Sequence, residues 1–212
     1  GAQPPLSAMD ATLCMGASVS GIHGFNLAAK GEDAGKTVAV IGDSTFVHSG
    51  VTGLMNIAYN ASPSTVVILD NSITGMTGHQ QNPTTGYNIK GDPAAKVDLT
   101  ALCHAVGIRR VRVVDPYDLS AVRTALREEL AVNEPSVIIS RRPCVLLKSV
   151  KAQKPLTVDA AACRGCRRCV GLGCPAISFK NGKARIDETL CVGCKVCVQL
   201  CAFGAIRKGE QA

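Results

Sequence analysis

Two runs of cysteine near the C-terminal end constrain this chain more than any other feature. They read Cys163-x2-Cys166-x2-Cys169-x4-Cys174-Pro175 and Cys191-x2-Cys194-x2-Cys197-x3-Cys201. Eleven cysteines are many for 212 residues, and eight of them fall in this one stretch. The sequence from 156 onward holds too little apolar material for a core of its own, so cross-links or a metal must hold it together. Disulfides are the usual answer in a small secreted domain. Here the clustered spacing and the lack of a signal peptide point instead to thiols kept reduced in a cytoplasm and available to metal.

Zinc takes four ligands in a tetrahedron and leaves a third cysteine at the same spacing with no role. Three cysteines spaced by two residues can instead wrap three corners of a [4Fe–4S] cubane, whose fourth corner needs a thiolate from elsewhere. In two-cluster ferredoxins the last cysteine of each run crosses to the other cluster. On that pattern Cys163, Cys166, Cys169 and Cys201 hold one cluster, and Cys191, Cys194, Cys197 and Cys174 hold the other. The 16 residues between Cys174 and Cys191 suit a hairpin over 177–187 with Asn181-Gly182 as its turn. Two departures stand out: one extra residue between Cys169 and Cys174, and Ala202 where proline usually follows the last cysteine. Neither removes a ligand. Cys103 and Cys144 read as small buried hydrophobes.

The first two-thirds of the chain follow a different rule. Residues 37–42 and 65–69 are β-branched apolar runs that end in Gly42-Asp43-Ser44 and Asp70-Asn71. A helix is expected over 50–60, with Leu54, Ile57, Ala58 and Ala61 on one face. Helices over 94–106 and 118–131 and strands over 108–114 and 136–140 continue the alternation, and 75–91 reads as a long functional loop. Near-continuous apolar strands alternating with helices predict an α/β fold with a parallel sheet covered by helices on both faces. The apolar content of 46% supports such a core, built from Val, Ile, Ala and Leu because aromatics make up only 3%. The expected domains are therefore 1–147, a polar linker over 148–155, and a small α+β ferredoxin-like domain over 156–208 with two [4Fe–4S] clusters.

Ligands of parallel sheets bind at the carboxyl ends of the strands. Asp43 and Asn71 sit at two such ends, 28 residues apart, and offer hard oxygen ligands suited to Mg²⁺ bound to a diphosphate. Gly42 would let the backbone approach the phosphates, with the amides of Ser44 and Thr45 turned toward them.

The interval resembles the thiamine diphosphate motif, with Ser44 in place of its second glycine and Asp70 in place of its first asparagine. The stretches GDSTFVHSGVTGLMNIAYN, VVILDNSITGMTGHQQNPTTG and CMGASVSGIHGF resemble the 2-oxoacid:ferredoxin oxidoreductases over nearly the whole chain. Within that family the likeness is greatest to the large subunits specific for indolepyruvate. The resemblance implies Asp43, Asn71 and the carbonyl of Ile73 as Mg²⁺ ligands. It also implies a thiamine diphosphate pocket lined by Cys14, Met15, Gly16, Gly75, Met76 and Thr77, with His48 and His79 near the reacting carbon. His23 and His104 read as structural imidazoles.

The implied reaction is decarboxylation of a 2-oxo acid to acyl-CoA and CO₂ with coenzyme A as co-substrate, aryl pyruvates first and pyruvate or branched-chain oxo acids as rivals. The two electrons would leave through the clusters to an external ferredoxin. The activating glutamate of the family lies in a pyrimidine-binding domain that this sequence lacks. A further domain or sister subunit is therefore expected, the chain being a fragment or one part of a split enzyme. Two other classes are weighed against this one. One is an electron-carrier or docking module with a vestigial diphosphate site; the other is a non-oxidative thiamine decarboxylase, for which clusters would be idle.

Charge is placed unevenly. Residues 1–147 carry 11 Lys/Arg against 12 Asp/Glu, whereas 148–212 carry 12 against 4. The basic third suits an acidic protein partner rather than nucleic acid, since it has only Phe179 and Phe203 to stack on bases. The apolar runs are too short to cross a bilayer.

Overall fold

The computed structural model describes residues 1–29, 37–151 and 153–208. They fall into two compact units, residues 12–144 and residues 1–11 with 145 onward. The second boundary lies within three residues of the one expected at 147, but the first eleven residues group with the cysteine-rich unit.

In the larger unit the elements are α1 (Ala17–Ala28), β1 (Val38–Gly42), α2 (Asp43–Thr45), α3 (Val51–Tyr59), β2 (Thr65–Asp70), α4 (Leu99–Ala105), β3 (Arg110–Val114), α5 (Leu119–Leu130) and β4 (Ser136–Arg141). The four strands form one parallel sheet in the order β1-β2-β4-β3. Strand side chains alternate between faces, so Ala39, Ile41, Val66, Ile68, Val137 and Ile139 share one face. They pack there on Val19 of α1, Leu54 and Ile57 of α3, and Leu99 and Cys103 of α4. Each large aliphatic side chain buried in this way contributes roughly 1.5–3 kcal/mol. The opposite face is covered unevenly. Helix α5 docks over β3 and β4 through Glu129, which is 1% exposed and accepts from Arg110 Nε at 2.8 Å. Over β1 and β2, Val40 and Leu69 remain half-exposed.

Three elements depart from the sequence expectation. The chain is helical from Asp43 onward, through a π-turn over Phe46–Gly50, rather than from residue 50. Gly50 looked like a boundary but serves close packing: a Cβ there would lie closer than 3.0 Å to both Ile41 and Phe46. Helix α4 starts at Leu99 because Asp98 caps it, accepting from the amides of Thr100 and Ala101 at 2.8 and 3.1 Å. Helix α1 is an element the sequence does not announce, since Gly21 and Gly24 lower its helical propensity.

The cysteine-rich unit holds β5 (Leu156–Val158), β6 (Ile177–Lys180), β7 (Lys183–Ile186), α6 (Val196–Leu200) and β8 (Ile206–Lys208). Strands β6 and β7 form the expected hairpin, with Asn181 and Gly182 at φ 52° and 73°, and β5 pairs antiparallel with β8. An internal repeat of 28 residues organises the unit. Asp159 accepts from the amides of Ala161 and Ala162, and its carbonyl from the Cys163 amide at 3.0 Å. Asp187 does the same for Thr189 and, also at 3.0 Å, for Cys191. Gly165 and Gly193 both take φ near +68°, as do their neighbours Arg167 and Lys195 at 60° and 64°. A Cβ on either glycine would come closer than 3.0 Å to a backbone carbonyl, that of Gly182 or Lys154.

Candidate functional site

Two acidic side chains meet at the carboxyl edge of the parallel sheet. The β1–β2 register pairs Gly42 with Leu69, which sets Asp43 beside Asp70. Asp70 has a resident cation: its Oδ2 accepts from Arg141 Nε at 2.7 Å, while Oδ1 accepts from the Ser72 amide. Asp43 is 3% exposed, and among the described residues it has no ion pair. Its Oδ1 accepts from the Ser44 amide at 2.7 Å and its Oδ2 from the Thr84 hydroxyl at 3.2 Å. Burial raises its pKa above the ordinary carboxylate value, and the charge of Asp70 adds to that. A buried carboxylate without a cation is a costly arrangement unless one is supplied. Mg²⁺ fits this donor set, a hard anionic oxygen with an amide oxygen at the neighbouring strand end.

That amide belongs to Asn71. Its Oδ1 accepts from the Ile73 amide at 3.1 Å, and its own carbonyl accepts from the Cys144 amide at 2.9 Å. The turn is thereby fixed, with Ile73 itself buried. A Cβ at Gly42 would meet nothing within 4 Å, so space remains open beside the strand end. The Ser44 amide, expected to face phosphate, is bonded to Asp43 in this structure.

The long loop after β2 contributes residues that sequence reasoning missed. Asn82 and Thr84 are buried, and Asn82 Oδ1 accepts from both the amide and the hydroxyl of Thr84 at 2.8 and 2.7 Å. Thr84 thus reaches Asp43 across 41 residues of sequence, a proximity for which local pattern carries no signal. Other expected pocket residues stand apart from this centre. Thr74 bridges Gln80, closing a turn that leaves Met76 93% exposed and Thr77 and His79 exposed as well. His48 is exposed on the π-turn, and among the described residues no hydrogen bond joins it or His79 to Asp43. Cys14 is exposed too. The turn that carries it rests on the π-turn, where the Ser49 hydroxyl donates to the Met15 carbonyl at 3.4 Å and Gly16 at φ +91° lies against Ser49. His23 is buried, and among the described residues its Nδ1 has no hydrogen-bond partner, whereas His104 Nδ1 bonds the Ile108 carbonyl at 2.8 Å.

In the cysteine-rich unit, Cys163, Cys166, Cys169 and Cys201 line one cavity, with Phe203. Backbone amides of Ala184 and Gly165 lower the Cys163 pKa. Burial pushes the Cys197 thiol up to about 11, helped by Cys194, Cys191 and Cys174 around it. The fold thus brings together the residues of each expected ligand set. Among the described residues no three of His, Cys, Asp or Glu close round a single metal ion. Four thiols gathered round one cavity suit a [4Fe–4S] cubane, which takes one thiolate at each iron. Cys103 is buried, whereas Cys144 is only half-buried. No helix among the described residues is long and apolar enough to cross a membrane.

Comparison with known proteins gives these residues a context. Residues 2–140 match the family described as thiamine pyrophosphate enzyme, C-terminal TPP binding domain, and residues 184–207 match the 4Fe-4S binding domain. The indolepyruvate oxidoreductase subunit IorA of Pyrococcus horikoshii is 40% identical over 99% of this chain and 36% of its own length. The protein of that name from Archaeoglobus fulgidus is 39% identical over 99% of this chain and 34% of its length. The chain thus spans about a third of the curated relatives it matches. A solved 2-oxoglutarate:ferredoxin oxidoreductase from Magnetococcus marinus superposes with a TM-score of 0.56, at 17% identity, over 64% of this chain and 48% of that one, and supports the fold.

Proposed function

Since the chain belongs to the thiamine pyrophosphate enzymes and contains their C-terminal cofactor-binding domain, we propose that it is the part of a 2-oxoacid:ferredoxin oxidoreductase that binds diphosphate and carries electrons. One observation carries the reading. A buried Asp43, with no ion pair among the described residues, lies at a sheet edge in the same chain as two thiol quartets. Thiamine diphosphate, when bound, supplies the electron sink for decarboxylation. Asp43, the Asn71 side chain and the Ile73 carbonyl hold its Mg²⁺, and Gly42 leaves room for the diphosphate. Asn82 and Thr84 keep the Asp43 carboxylate pointed at that metal. His48 and His79 sit on turns that would have to close over a substrate to handle its protons.

The balance is a 2-oxo acid anion plus coenzyme A giving acyl-CoA, CO₂, one proton and two electrons. Two one-electron clusters match the count, with an external ferredoxin as acceptor. Relatives bearing the indolepyruvate name favour aryl pyruvates as substrate. The remaining two-thirds of such a protein, or a sister subunit, would bring the pyrimidine-binding domain. Among the described residues, Val40 and Leu69 stand half-exposed on a sheet face that such a domain would cover.

The test is coenzyme A-dependent ferredoxin reduction by the complete enzyme with indolepyruvate, pyruvate and a branched-chain oxo acid. Indolepyruvate should give the highest kcat/KM by at least about tenfold, or about 1.4 kcal/mol in the barrier. Equal rates would remove the aryl preference. The exposed Met76, His48 and His79 favour a second reading, an electron-carrier module with a disused diphosphate site. The complete enzyme purified without any thiamine diphosphate, and unable to bind it, would decide for that alternative.

A further inference from the structure

The 28-residue repeat makes the two cysteine loops comparable position by position, and their charges differ. The first loop carries Arg164, Arg167 and Arg168; the corresponding residues of the second are Val192, Lys195 and Val196. All three arginines are exposed. Arg167 lies over the Phe179 ring at 4.3 Å, which fixes one of the charges beside the loop. Lys183 adds a fourth cation, its Nζ donating to the Cys163 carbonyl. Access differs as well. Of the eight cysteines in the two runs only Cys166 is exposed, while the others are buried or half-buried. The half-exposed Phe203 lines the same cavity as Cys166.

We propose that electrons leave this chain from the cluster held by Cys163, Cys166, Cys169 and Cys201, into an acidic one-electron carrier protein docked on Arg164 and Arg168. The inference rests on the reading that both quartets hold clusters. Two physical effects act together. A reduced cluster is one unit more negative than an oxidised one, so nearby cations favour the electron on the first cluster over the second. The same cations draw an acidic surface toward Cys166, and complementary charge mainly raises the rate of productive encounter. An aromatic centre within an arginine rim is also the composition that protein interfaces favour. In the step itself the cluster gives up one electron and the redox centre of the carrier gains it. No bond is made and no proton moves.

The experiment uses the complete enzyme with its clusters reduced chemically by dithionite, freed of excess reductant and mixed rapidly with an acidic bacterial ferredoxin. Starting from reduced clusters makes the result independent of any oxo-acid chemistry. The Arg164→Glu/Arg168→Glu variant should transfer electrons about tenfold more slowly at low salt and lose most of its salt dependence. Lys195→Glu should stay close to the parent. In a redox titration followed by electron paramagnetic resonance, one cluster of the arginine variant should fall in potential by about 59 mV, a tenfold change in one-electron partition. If the double glutamate variant loses iron, Arg164→Gln/Arg168→Gln serves in its place, with the same order of effects. A larger effect of Lys195→Glu, or arginine variants like the parent in rate and potential, would overturn the proposal. So would a variant that dissociates from its sister subunit while transferring electrons at the parental rate, for the patch would then be a subunit contact. A parent enzyme without eight iron and eight sulfide would instead defeat the cluster reading itself.

Discussion

Of the buried carboxylates among the described residues of the larger unit, Asp43 is the one with no ion pair. Because burial raises its pKa above 3.8, the folded protein holds a proton on it at a pH where the unfolded chain has lost it. Its contribution to stability therefore falls as pH rises from about 4 through the folded pKa, and stays unfavourable above. Asp43→Asn should remove that slope. It should also raise the melting temperature of the metal-free protein at neutral pH, by roughly 2–4 °C for each kcal/mol recovered. The parent alone should gain stability from Mg²⁺ with thiamine diphosphate. Melting curves across pH, with and without both, read all three effects. An Asp43→Asn variant stabilised by the cofactor as well as the parent would refute the ligand role. Asp43 and Asn71 were legible because strand ends announce themselves in β-branched runs followed by Gly-Asp or Asp-Asn. Thr84, Asn82 and Arg141 were not, because only the folding of a long loop and the parallel pairing of β2 with β4 bring them to the same place.

Among the elements, α5 is held to the sheet by a charge rather than by an apolar stripe alone. Glu129 is 1% exposed and takes both Nε and Nη2 of Arg110, at 2.8 and 3.1 Å. Its neighbour Glu128 pairs with Arg112 in solvent, each about half-exposed. Removing the first empties a buried position under α5 and takes a shared partner from the partly exposed Arg110 and Arg112, while removing the second forfeits a screened surface pair. Glu129→Ala should lower the melting temperature by roughly 5 °C and Glu128→Ala by about 1 °C at most. Comparable losses would mean that α5 is held by packing alone. The helices of this unit show why local pattern reads imperfectly. Gly42 and Gly50 look like breakers, yet the chain is helical directly from Asp43, and Gly50 lies within that run where the space is too tight for a Cβ. The cysteine loops were readable for the opposite reason, since their geometry is set by ligand spacing and by glycines at positive φ that only a few residues tolerate.

At the scale of the whole molecule, the proposed carbon-chemistry site and electron exit lie in units that each have their own core. The order of domains was readable from composition and charge, because the apolar α/β alternation stops where basic, cysteine-rich sequence begins. The grouping of residues 1–11 with the second unit was not readable, as a short segment with two prolines and no hydrophobic periodicity carries no signal of what it packs on. The connection between site and exit is what remains to be measured. The complete enzyme, held without oxygen, is mixed with indolepyruvate and coenzyme A, and the electron paramagnetic resonance of the reduced clusters is followed in the parent and in Asp43→Asn. Both proteins should carry about eight iron per chain, four for each cubane, and be fully reduced by dithionite. With the oxo acid, the parent should develop the cluster signal within its turnover time, and the variant at least about a hundredfold more slowly, since it lacks the charge proposed to hold the metal of the cofactor. Clusters in Asp43→Asn that are reduced by the oxo acid as fast as those of the parent would contradict a catalytic role for this site.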